Sequence, residues 1–170
     1  MLLKARKMKP PKITFARDDD PTPRKSVVGV RKVDANDVVT GTITSPTIQG
    51  YWTHWWNDRT VPHIVGEKLC KPCLKFIPMR WAGFIHLVGS GGGKGVFIEL
   101  TQTARDRLLA CTSKEEPLRG TIVSVSREGR RLRSPLVFQV LGRHHADEKL
   151  IRSPDILPTL ERLWGLAESA

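Results

Sequence analysis

No stretch of this sequence approaches the ~20 consecutive apolar residues that a transmembrane helix needs. The opening residues, Met1 to Lys4, have the charge of a secretory leader but no apolar run behind them. The expectation is a soluble, cytoplasmic protein with no membrane partner. Cysteine is scarce: of the three, Cys70 and Cys73 stand two residues apart, and Cys111 falls alone in a predicted helix. An odd count with a tight C-x-x-C argues against a secreted disulfide scaffold. Phosphate-cradling glycine motifs are missing too. A P-loop register counted back from Gly93 and Lys94 puts Val88 where glycine should stand, and Gly95 where a hydroxyl should. Neither a nucleophile–base pair nor a pair of carboxylates occurs in a recognisable setting, so an enzyme is not expected. His144 and His145 beside Asp147 and Glu148 read as a surface turn.

Acidic residues are also few. The 170 residues hold 28 Lys and Arg against 17 Asp and Glu, a net charge of +11. Such an excess attracts polyanions at long range and releases counterions on contact with phosphates. Residues 1–32 carry ten of the basic residues against Asp18, Asp19 and Asp20, hence +7. With four prolines and no periodicity, this segment reads as a disordered, phosphate-gripping arm.

Beyond it, alternation marks strands at about 37–45, 81–88, 96–100, 118–127 and 136–141. A helix is predicted over about 101–113, capped by Thr101 or Thr103. A second starts near Pro154 with Ser153 as cap, its stripe made by Ile156, Leu157, Leu160, Leu163, Trp164 and Leu166. That stripe must dock on something, either the domain itself or a protein partner. Three strands, a helix and two strands is the order of a five-stranded OB-type Greek-key barrel. The fold class is all-β with minor α: a barrel over 33–142, an irregular zinc-binding insertion at about 50–80, and a linker and helix over 143–170.

The segment 51–73 carries the chemistry. Cys70 and Cys73 offer two thiolates from one tight bend, His63 lies seven residues before Cys70, and His54 nine residues before His63. Together they form a Cys2His2 set suited to tetrahedral zinc. His86 and Cys111 compete with His54 for the fourth place, and Lys68, Lys71 and Lys75 are placed to stabilise thiolates. Four protein ligands leave no open position, so the site would be structural.

This basic strand order, with a His/Cys zinc element between early strands, resembles the zinc-containing single-stranded-DNA-binding proteins of tailed phages. The likeness lies in architecture and in His54, His63, Cys70 and Cys73, over roughly residues 37–142. It departs in lacking an acidic tail, since residues 143–170 carry a net charge of only −1.

Aromatics point the same way. Tyr51, Trp52, Trp55 and Trp56 cluster beside Arg59 and Arg80, and Phe84 and Phe97 fall on the strand face opposite Trp81, Ile85 and Leu87. Bases of any identity stack on such rings. Trp81 and Trp164 are assigned to packing. Arg119, Arg127, Arg130, Arg131 and Arg133 form a further basic patch, extended by Lys94 in its glycine loop. The expected ligand is single-stranded DNA or RNA, with an RNA-binding subunit or a zinc-stabilised protein adaptor as alternatives.

Overall fold

The computed structural model describes residues 28–63, 70–112, 116–129, 131, 134–144 and 149–164. Their order is β1 (Val30–Arg31), β2 (Val39–Ile43), β3 (Gln49–Trp56), β4 (Arg59–Pro62), α1 (Lys71–Leu74), β5 (Met79–Val88), β6 (Val96–Thr101), α2 (Gln102–Cys111), β7 (Thr121–Arg127), β8 (Leu136–Arg143) and α3 (Leu157–Trp164). The chain is therefore mainly β with minor α.

Strand β5 organises the sheet. One edge pairs with β6 from Ala82 to Leu87. The other pairs with β3 from Met79 to Phe84, then with β2 at Leu87 and Val88. From β2 the antiparallel ladder continues through β7 to β8. Alternation along β5 sends Ile85 and Leu87 to one face, where they meet Ile43, Ile98, Leu100, Val123 and Val125. Helix α2 covers this core with Ala104 and Leu108, and Thr101 caps it by accepting from the Ala104 N–H at 3.2 Å. The five strands and two helices expected from periodicity are all present.

Three features differ from the sequence expectation. First, the sheet is mixed and open, not a closed five-stranded barrel. Closure would pair β6 with β8, but the free edge of β6 is taken in parallel by β1, with Val30 opposite Phe97 and Arg31 opposite Ile98. The end of the expected arm is thus part of the sheet, tied further by an Arg31–Asp37 ion pair at 2.6 Å. Residues 1–27 of that arm lie outside the described residues.

Second, the segment read as an irregular loop contains the β3–β4 hairpin. Asn57 and Asp58 both adopt positive φ, 50° and 58°, which fits the tight turn whose twist matches paired strands.

Third, α3 starts at Leu157, and Asp155 rather than Ser153 accepts its first N–H, at 3.0 Å. Ile156, Leu160 and Trp164 lie against Val28, Ala82, Phe84 and Phe97, on the second face of the sheet. Thr159 adds a hydrogen bond to the Val28 carbonyl at 3.0 Å. Leu157 and Leu163 of the expected stripe are exposed, and Leu166 lies outside the described residues.

Candidate metal centre and aromatic surface

Four side chains from the hairpin and from the turn entering α1 converge on one point. His54 comes from the middle of β3 and His63 from the residue after β4, whose N–H bonds the Trp52 carbonyl at 2.8 Å. Cys70 occupies the N-cap of α1, Pro72 sets its first turn, and Leu74 N–H closes that turn on the Cys70 carbonyl at 3.1 Å. Cys73 follows inside the helix.

The donor atoms His54 Nε2, His63 Nδ1, Cys70 Sγ and Cys73 Sγ all lie within 4.8 Å of one another. His54 Nε2 stands 3.1 Å from His63 Nδ1, 3.5 Å from Cys70 Sγ and 3.4 Å from Cys73 Sγ. Cys73 Sγ is 3.4 Å from His63 Nδ1. A tetrahedron with metal–nitrogen bonds of ~2.0 Å and metal–sulfur bonds of ~2.3 Å has edges of about 3.3 to 3.8 Å. Those four edges are close to these values, and the other two are within 4.8 Å.

The surrounding bonds set the correct tautomer. His54 Nδ1 donates to the Ile77 carbonyl at 3.0 Å, which leaves Nε2 with its lone pair facing inward. Three further donor atoms crowd that nitrogen, an arrangement that could hold a cation at its centre. Without one, desolvation, reinforced by the neighbouring Cys70, holds the Cys73 thiol above its ordinary value. Lys71 and Lys75 beside the cluster are exposed, and a bound cation would stabilise the thiolates directly. Lys68 lies outside the described residues.

Neither competing ligand belongs to the cluster. His86 is buried with both nitrogens used. Its Nε2 faces the Lys94 carbonyl at 2.9 Å and must donate, so Nδ1 accepts from the Thr44 hydroxyl at 2.6 Å. Cys111 is exposed and donates to the Leu108 carbonyl at 3.1 Å.

The same hairpin carries the aromatics. Trp52 and Trp55 are 54% and 48% exposed, and Trp56 is half-buried. Arg59 and Arg80 beside them are exposed. Tyr51, on the same face of β3 as Trp55, is half-buried and edge-on to Trp164 with ring centroids 5.8 Å apart. Trp164 is buried and Trp81 packs against the first core. Trp81 lies over Gly50 and Gly83, where any Cβ would collide with its ring, and beneath the Arg105 guanidinium at 5.2 Å.

Phe84 and Phe97 need correcting. The alternation places them on the right face, but α3 covers it, leaving them 4% and 2% exposed. Phe97 packs on His86, ring centroids 5.0 Å apart. The arginine patch is also partly committed. Arg127 donates to the carbonyls of Val33 at 2.6 Å and Ser134 at 2.5 Å, and Arg119 to that of Leu150 at 3.0 Å. Arg131 and Lys94 are exposed, while Arg130 and Arg133 lie outside the described residues. Arg105, on a helix that buries only Ala104 and Leu108, carries no signal in the sequence for its contact with Trp81.

No family model, curated protein or solved structure matches the chain.

Proposed function

We propose that this chain is a zinc-stabilised, non-enzymatic protein that binds single-stranded nucleic acid, with single-stranded DNA the favoured ligand, through Lys/Arg phosphate contacts and base stacking. The observation that carries the reading is two exposed indoles, Trp52 and Trp55, one on each face of a hairpin that also exposes Arg59, with exposed Arg80 on the neighbouring strand. Large aromatic surface left in water beside cations is what sequence-tolerant strand binding uses. The net charge of +11 supports it.

The metal reading goes with this. Two thiolates and two imidazoles in a closed tetrahedral set suit zinc, and no position is left for a substrate. The metal's role is to fix the hairpin that presents the tryptophans. The strand pairing supports an OB-type relationship in opened form: β2 pairs with β5 and β7, β5 with β6, and β7 with β8. This agrees with the resemblance to zinc-containing phage single-strand-binding proteins.

The test is tryptophan fluorescence titrated with poly-dT, single-stranded RNA and duplex DNA at several salt concentrations. Quenching is expected with single strands, weakening as salt rises, with duplex the poorest ligand. Trp52→Ala and Trp55→Ala should each cost ~1–3 kcal/mol of affinity with Tm little changed. Equal binding of duplex, or full affinity in both variants, would sink the reading.

A further inference from the structure

Glu99 stands on the wrong face for a carboxylate. It lies on β6 opposite Phe84 and two residues from Phe97, on the face that α3 covers. Among the described residues it has no hydrogen-bond or ion-pair partner. Burial pushes its carboxyl above the ordinary value, and the charge of Lys32 only partly offsets this. Among the described residues no buried side-chain polar atom is left unsatisfied, so the half-buried Glu99 carboxylate keeps contact with solvent and is open to an incoming donor.

The carboxylate opens into a cleft of about 230 Å³ between α3 and the β3–β4 hairpin. Trp55, Leu163 and Trp164 line it, and Phe84 contributes the little surface it keeps. Lys32 and Arg59, both exposed, supply cations, and Asp58 at the hairpin turn supplies a second carboxylate. The cleft falls below the ~300 Å³ at which drug-sized ligands begin, so one planar ring fills it.

We propose that this cleft is a nucleobase slot selecting bases that carry an amino group, with Glu99 accepting from the base edge and Lys32 and Arg59 meeting adjacent phosphates. The assignment rests on the single-strand reading above and adds a preference to it. Cytosine and adenine offer an exocyclic N–H, and guanine offers N1–H and N2–H side by side for a carboxylate. Thymine and uracil present two carbonyls flanking a single N–H, and those carbonyls meet the carboxylate with like charge. Trp55, 48% exposed, supplies the aromatic surface for the ring, and buried Trp164 adds only the little it keeps.

The experiment compares a thymine 12-mer with the same strand carrying one central cytosine, adenine or guanine. The substituted strands should bind the intact protein about tenfold more tightly. In Glu99→Gln the ratio of affinities between the substituted strands and the thymine 12-mer should fall to about one, because a carboxamide offers a donor and an acceptor and suits thymine equally. An NMR titration of the unaltered protein with cytidine, guanosine and thymidine monophosphates needs no variant. It should move the indole N–H signals of Trp55 and Trp164 for the first two and less for the third. Strand binding without base preference overturns the slot and leaves the single-strand reading standing. Failure of every strand to bind overturns both. Equal indole shifts for all three monophosphates, or none, also overturn the slot.

Discussion

At position 86 the chain holds an imidazole between a threonine hydroxyl and a loop carbonyl, and that geometry requires the neutral form. Burial is the largest cause of its lowered pKa, outweighing the Lys94 carbonyl, which pulls the other way. A histidine whose folded pKa lies below its unfolded value of about 6.5 contributes stability that is complete above that value. The contribution is lost as pH falls below it, because the unfolded chain takes up the proton first. We expect His86→Gln to cost ~1–3 kcal/mol at pH 8 and the gap from the parent to narrow by pH 5, measured by urea unfolding. A gap that is constant or widens on acidification would contradict this. Comparing the two proteins also cancels the titration of the metal ligands, which both share. From sequence, His86 is only a rival ligand. Its real role depends on Thr44 and on Lys94, whose loop turns back at Gly95 with φ +69°, where a Cβ would lie 2.6 Å from the imidazole.

Among the elements, the β3–β4 hairpin with α1 was least legible. Its residues alternate aromatic, polar and basic on both faces, so the period-2 signal that marks a half-buried strand is masked. The turn residues Asn57 and Asp58 were the only local sign. Its candidate ligands were nevertheless largely readable, since C-x-x-C geometry is local and His63 and His54 lay within reach, with His86 and Cys111 as rivals to His54. None of the four ligands belongs to the core under α2, nor does any element of the hairpin. Purified protein should therefore contain about one zinc per chain, absent from Cys70→Ser/Cys73→Ser. Chelation should speed hydrogen exchange across β3 and β4 while β7 and β8 keep their protection. Stoichiometric metal in the double variant, or equal loss of protection in β7, would refute the assignment. Helix α3 was legible as an amphipathic stripe, though not as the cover of Phe84 and Phe97; Leu160→Ala is a route to uncover them.

For the whole molecule, the charge of +11 is distributed unevenly, and residues 1–27 hold +5 of it. Deletion of 1–27, leaving Val28 to pack beneath α3, should preserve the melting transition and weaken strand binding. The log–log salt slope should flatten by ~0.7 for each phosphate that the arm had neutralised. An unchanged slope would place the arm away from the nucleic acid. What the sequence determined by itself was local: five of the eight described strands and two of the three described helices in their order, and a cap at Thr101 or Thr103. It also gave Cys70, Cys73 and His63 of the cluster, with His54 one of three candidates for the fourth place. Periodicity, capping and ligand spacing act over a few residues, so one chain suffices to read them. Only the tertiary structure decided that β1 takes the edge of β6 and leaves the sheet open. It alone decided that α3 closes over the second face, that Arg119 and Arg127 clamp carbonyls, and that Glu99 opens into a cleft. Each depends on pairing segments tens of residues apart, and local sequence cannot rank those pairings because their energies come from the assembled surfaces.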